Sequence, residues 1–97
     1  MKNLNLNYEG FENYLVEREK HTCLVRYYFR FENGYSALVV KMLNTLYYPE
    51  DLWELGVMKF YDDGRCDLAC DVLMGDDIYD HLTDEDVRNL LARIKEL

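Results

Sequence analysis

The stretch "TCLVRYYFRFENGYSALVVKML" constrains the fold of this chain more than any other. Two runs rich in β-branched and aromatic residues flank Asn33-Gly34, the pair favoured in a two-residue type I′ turn because both residues tolerate positive φ. An antiparallel hairpin is therefore predicted. With Glu32 and Tyr35 as the flanking pair, Phe31, Phe29, Tyr27 and Val25 lie opposite Ser36, Leu38, Val40 and Met42, and side-chain alternation puts all of them on one face, the core. The reverse face then carries Arg26, Arg30 and Lys41 among Leu24, Tyr28, Val39 and Leu43, a mixed surface fit for solvent or for a partner.

A second hairpin is predicted from "LWELGVMKFYDDGRCDLACDVL", and charge decides its register. A two-residue Asp63-Gly64 turn sets Lys59 opposite Leu68. A three-residue Asp62-Asp63-Gly64 loop, with Gly64 in the left-handed position, pairs Lys59 with Asp67 and aligns Phe60 and Met58 with Cys66 and Leu68. The second arrangement is the better one. A competing reading makes Pro49 to Leu55 a helical turn, with Pro49 at its first position and Gly56 at its end.

Helices are expected at both ends. In "YEGFENYLVEREK" the residues Phe11, Tyr14 and Leu15 fall at i, i+3 and i+4, so residues 9–20 read as a short amphipathic helix, although "LNLNY" before it alternates like a strand. At the C-terminus, Val87, Leu90, Leu91, Ile94 and Leu97 form an apolar stripe, with Arg88, Arg93 and Lys95 toward the negative end of the helix dipole. Thr83 is the N-cap with Asp86 three residues on, and Leu82 can staple onto Val87. The predicted order is α-β-β-β-β-α: one α+β domain spanning residues 1–97, a four-stranded antiparallel sheet of two hairpins with an N-terminal and a C-terminal helix.

The acids are unevenly placed. Residues 62–86 hold Asp62, Asp63, Asp67, Asp71, Asp76, Asp77, Asp80, Asp84, Glu85 and Asp86 against Arg65 alone, a formal charge of -9, while the rest of the chain sums to +1. Asp84, Glu85 and Asp86 fall in the first helical turn, where each carboxylate contributes about 0.3 to 1 kcal/mol. Asp76, Asp77 and Asp80 are left without that explanation, though Asp76 can cap a short turn through "DDIYDHL". A solvated face that keeps a small domain soluble is the plain account, and a binding surface for a basic partner is the sharper one.

Other chemistries fit poorly. The EF-hand spacing for calcium is missing. Cys66 and Cys70 on one strand are about 13 Å apart, too far for a disulfide or a shared metal, and Cys23 makes an odd count of cysteines, so reduced thiols and no metal or other cofactor are expected. Ser36, the only serine, has no His-Asp arrangement nearby. His21 reads as a loop residue and His81 as part of the approach to the last helix. The glycines form no phosphate-binding loop. A chain without catalytic activity is expected. Direct nucleic-acid binding is opposed by an isoelectric point near 4.6. The longest apolar run is "ALVV" and the start "MKNLNLNYEG" lacks a signal peptide's apolar core, so the expectation is a soluble cytoplasmic protein with no membrane partner.

In order along the chain, "ENGYSALVVK", "LWELGVMKF" and "DVLMGDDIYDHLTDEDVRNLLARIKEL" resemble small proteins carried by phages and mobile elements of Gram-positive bacteria. Those proteins end in a strand, a "DD(V/I)…YLT(D/E)EEV" approach and a terminal helix. The likeness covers roughly residues 33 to 97, and its motifs are structural rather than catalytic. Some small acidic phage proteins of this size are anti-defence factors, including anti-CRISPR proteins that occupy the DNA-binding surface of a nuclease complex. The resemblance thus implies an inhibitor acting in the host bacterium's cytoplasm on a basic protein, such as a CRISPR-associated nuclease complex.

The expected contact is Asp76, Asp77, Asp80, Asp84, Glu85 and Asp86, flanked by Asp67 and Asp71, with Tyr79, Tyr47 and Tyr48 as aromatic anchors. The alternative is a homo-oligomeric scaffold module that buries Leu24, Tyr28, Val39 and Leu43 in a homodimer, with no mimicry of nucleic acid.

Overall fold

The computed structural model describes residues 5–42, 52–61, 66–68 and 78–97. They form one antiparallel sheet and one C-terminal helix: β1 (Leu15–Lys20), β2 (Leu24–Arg30), β3 (Tyr35–Met42), β4 (Trp53–Phe60), β5 (Cys66–Leu68), β6 (Ile78–Leu82) and α1 (Asp84–Lys95). The sheet runs β1-β2-β3-β4, and β5 and β6 share the far edge of β4. β5 pairs with Met58 to Phe60, and β6 with Trp53 to Gly56. Six strands thus occupy five positions, where the hairpin reading expected four.

The N-terminal helix expected over residues 9–20 is replaced by a single 3-10 turn, Glu12–Tyr14, followed by β1. Phe11, Tyr14 and Leu15 do share a face, but one turn exhausts the pattern. Tyr14 N–H reaches Phe11 O at 3.0 Å, and beyond it Glu17 to Lys20 pair with Tyr28 to Val25. An apolar triad at helical spacing cannot distinguish one turn from three, and the open edge of β2 supplies a tertiary partner that outweighs local propensity. Val16 is the extra residue of a bulge between Leu15 and Glu17, and it stays 60% exposed.

The first hairpin forms, with a register one residue away from the expected one. Leu24 faces Met42, Tyr27 faces Val39 and Arg30 faces Ser36. Phe31 N–H donates to Tyr35 O at 2.9 Å, so the loop is Glu32-Asn33-Gly34, with Gly34 alone at positive φ, +88°. A slip of one residue exchanges the faces of β3. Val25, Tyr27, Phe29 and Phe31 are buried as expected, but their companions are Ala37, Val39 and Lys41, while Leu38, Val40 and Met42 are half-buried on the reverse face. The mixed face therefore loses Lys41 and Val39 to the core, and Leu43 lies outside the described residues.

The register expected for the second hairpin is the observed one: Met58 faces Leu68, Lys59 faces Asp67 and Phe60 faces Cys66. Its loop lies outside the described residues. Of the competing Pro49 to Leu55 helical turn, Trp53 to Leu55 is strand, and residues 49–51 lie outside the description.

The segment expected as a turn through "DDIYDHL" is instead strand from Ile78 to Leu82. His81 takes φ +57° where β6 has one more residue than β4 between the Leu55–Tyr79 and Trp53–Leu82 pairs. α1 begins as expected: Thr83 Oγ1 accepts from Asp86 N–H at 3.1 Å, and Asp86 Oδ2 accepts from Thr83 N–H at 3.1 Å. Val87, Leu90, Leu91 and Ile94 are buried against the sheet, whereas Leu97, expected in the same stripe, is 42% exposed.

All the described non-strand elements that reach the core pack on one face of the sheet. Tyr8 lies against Tyr27 and Phe29, with the Leu6 N–H donating to the Tyr27 hydroxyl, and α1 packs on β3, β4 and β6. Among the described residues no helix is long and apolar enough to cross a membrane.

Candidate functional site

The acid-rich segment contributes β5, β6 and the first turn of α1, so its described parts converge on the β4 edge of the sheet and the helix start beside it. Asp67 stands in register with Lys59 on β5. Asp80 is 62% exposed, its Oδ1 3.3 Å from His81 Nδ1. Glu85 and Asp86 are exposed at the helix start. Asp71, Asp76, Asp77, Tyr47 and Tyr48 lie outside the described residues.

Asp84 has a different situation. Its Oδ1 accepts the indole N–H of fully buried Trp53 at 2.7 Å, and its Oδ2 accepts the backbone N–H of Asn7 at 3.2 Å. A tryptophan can be buried completely only where its N–H finds an acceptor, and Asp84 supplies one at the core's rim. Arg88 reinforces the junction by donating to Asn7 O at 3.1 Å. Asp86 is likewise engaged by the capping box. Tyr79 is half-buried and packs against the core. From Asp80 to Asp86 the acids thus divide into Asp84 and Asp86, which hold the helix start, and Asp80 on β6 and Glu85 in the first helical turn, which are exposed.

On the opposite face of the sheet the strands bring together a second set of charges. Glu17 faces Tyr28 and Glu19 faces Arg26 across β1 and β2. Glu19 Oε2 accepts from Arg26 Nη2 and lies 2.9 Å from His21 Nε2. The neighbouring Glu17 carboxyl, with His21 and Arg26, holds Glu19 well below the usual carboxylate range, at about 2. Glu17 moves the other way, raised by its hydrogen bond and charge interaction with Glu19. With Arg26, Tyr28, Leu38 and Met58 these two line a depression of about 280 Å³. Glu17, Tyr28, Leu38 and Gly56 form a transverse row, and Gly56 adds no side chain to it.

Several residues take parts here other than those expected from the sequence. Asn33, expected only as a turn residue, donates through Nδ2 to the carbonyls of Ile94 at 2.8 Å, Lys95 at 3.2 Å and Leu97 at 3.3 Å, closing the C-terminal end of α1. Lys41 is 1% exposed, with Nζ 4.3 Å from the centroid of the Trp53 ring. The i, i+2 spacing of Glu17 and Glu19 carries the signal for their shared face once the segment is recognised as a strand. Among the described residues no three His, Cys, Asp or Glu side chains gather to hold a metal ion. No protein-family model, curated protein or solved structure matches the chain.

Proposed function

We propose that the chain is a non-enzymatic inhibitor of the phage or mobile-element kind, which sets its acid-rich edge in the basic nucleic-acid channel of a host protein. The observation that carries this reading is that the described parts of one segment, whose sequence has a formal charge of -9, return to a single edge of the sheet through both β5 and β6. A field concentrated on one edge attracts a basic surface and repels nucleic acid. Asp80 and Glu85 are the described members of the contact; Asp67, Asp71, Asp76, Asp77 and the exposed rim of Asp86 complete it, and Asp84 serves it by fixing the helix start. The likeness of residues 33–97 to small acidic phage proteins supports the same class, with a CRISPR-associated nuclease complex as one such host target.

The test is capture of host nucleic-acid-binding proteins on the immobilised chain, followed by challenge with duplex DNA and with salt. Captured protein should be released by excess DNA and should associate more slowly as salt rises from about 50 to 200 mM, where the Debye length shrinks toward 7 Å. Capture that is indifferent to salt, to DNA and to Asp76→Asn, Asp77→Asn, Asp80→Asn and Glu85→Gln together overturns the proposal.

The half-buried Leu24, Tyr28, Leu38 and Val40 on the face away from α1 favour a second reading, a homodimer through that face. The β1 edge is a poor alternative for such a contact. A two-fold axis normal to the sheet pairs residues of the same face, and in registers centred on Glu17, Arg18 or Glu19 a glutamate always meets a glutamate. Light scattering separates the readings: a dimer that dissociates on Leu38→Lys supports the second.

A further inference from the structure

We propose that the depression lined by Glu17, Glu19, Arg26, Tyr28, Leu38 and Met58 receives an arginine side chain presented by a protein partner. The inference rests on reading the chain as a binder of a basic protein, and it adds a second, shape-specific contact on the sheet face away from α1. Four properties of the lining select a guanidinium.

Charge comes first. Glu19 is committed to Arg26 and His21, so Glu17 leaves the pocket with one negative charge in excess when both glutamates are ionised. Glu17 is raised by its hydrogen bond with Glu19 and then by the charge of that carboxylate, and a cation placed between the two relieves the second of these. Shape comes second: Tyr28 and Glu17 are cross-strand partners and both line the depression, so an aromatic ring and a carboxylate stand at one site, the pair of groups that a planar cation can engage together. Apolar surface is third, because Leu38 and Met58 continue the wall and suit the methylene stem of a long side chain. Size is the last. At about 280 Å³ the depression is at the low end for a small-molecule site and adequate for one side chain. An ammonium group satisfies the charge and can lie over a ring, as Lys41 does over Trp53, but it lacks the planar fork that matches a two-oxygen acceptor.

The test needs no identified partner. The full-length chain is titrated with N-acetyl-arginine methylamide at millimolar concentration, while NMR follows the Glu17 carboxyl, the Tyr28 ring and the Met58 methyl group. The expected result is a saturable shift confined to these groups. Glu17→Gln should weaken it about tenfold, the effect of one charged hydrogen-bonded contact, and Tyr28→Leu by a similar factor. The lysine analogue should bind several-fold more weakly. No saturation, equal binding to Glu17→Gln, or equal affinity for the lysine analogue overturns the proposal. Glu17 is exposed on an edge strand, so Glu17→Gln is expected to fold, and its amide spectrum checks this before titration. A negative titration leaves the salt and DNA competition at the acidic edge unaffected, so the two proposals fail separately.

Discussion

The indole N–H of Trp53 donates to Oδ1 of Asp84 at 2.7 Å, joining the first residue of β4 to the first residue of α1. One carboxylate thereby satisfies a buried donor, receives the backbone N–H of Asn7 and sits at the positive end of the helix dipole. Tyr27 meets the same indole edge-on at 5.7 Å and Lys41 lies over its face, so Trp53 connects the sheet, the helix start and the N-terminal segment.

Asp84→Ala should therefore destabilise the chain by about 1 to 3 kcal/mol, the cost of leaving a buried N–H without its acceptor. Asp84→Asn keeps an oxygen at that position and should cost less, about 1 kcal/mol, chiefly through the lost charge at the helix start. Urea unfolding of both variants measures this. A neutral Asp84→Ala would return Asp84 to the exposed acids available for binding.

Asn33 acts at the other end of α1. The loop residue reaches across 61 positions of sequence to Ile94 O, and its Oδ1 accepts Tyr35 N–H at 3.0 Å, so a single amide serves both the hairpin and the helix end. Asn33→Ala should cost about 1 to 2 kcal/mol. Asn33→Asp should cost more, since it removes the donor and sets a negative charge against the helix carbonyls. Hydrogen exchange should rise first at the amides of the last turn of α1 and at Tyr35; a uniform rise along the chain would count against a local lock.

Local chemistry made α1 and the second hairpin legible. The Thr83 and Asp86 cap lies within one turn, and the pairing of Lys59 with Asp67, with Phe60 and Met58 falling on Cys66 and Leu68, separates the two registers of the second hairpin. What was misread depends on partners distant in sequence. Asn33-Gly34 suits a two-residue turn when only φ is considered, but the Asn33 side chain is required at the end of α1, and the three-residue loop moves Val39 and Lys41 into the core. Residues 15–20 become strand because β2 presents an edge to them, and Ile78 to Leu82 because β4 does. Glu17 and Asp80 both lie on edge strands, which carry such charges readily. For the acidic site, segregation of charge was visible in the sequence; the division of labour between Asp84, tied to Trp53, and Asp80, facing solvent, was not.

Acid should act on the chain partly through Glu19. Folded, Glu19 stays ionised down to about pH 2, while its ordinary value is near 4.5, so the unfolded chain takes up a proton first and stability is lost as pH falls from about 4.5 to about 2. Glu17 contributes in the opposite sense: its raised value favours the folded chain while protonated, and that contribution disappears as pH rises through it. Both side chains are solvent-screened, so the effects are modest. Glu19→Gln removes both, and its stability should vary less with pH on either side of 4.5 than that of the wild type. Parallel pH dependences for the two proteins would contradict the assignment.

The helix start offers a direct separation of folding from binding. Thr83→Ala removes the Oγ1 acceptor of the Asp86 N–H, leaving the backbone bond from residue 83 to Asp86 Oδ2, and should cost about 1 kcal/mol, with partner affinity unchanged while the chain stays folded. Asp80→Asn with Glu85→Gln alters two exposed side chains, neither of which holds the cap or Trp53, and stability should stay within about 1 kcal/mol of wild type, the share of Glu85 at the helix dipole. Affinity for a captured basic partner should fall in small steps of about 0 to 1 kcal/mol per charge, with a shallower dependence of the association rate on salt. The two variants should therefore move different observables. Were the double substitution to unfold the chain, Asp80 and Glu85 would belong with Asp84 among the residues that hold the fold, and the described part of the acidic edge would have no side chains left for a partner.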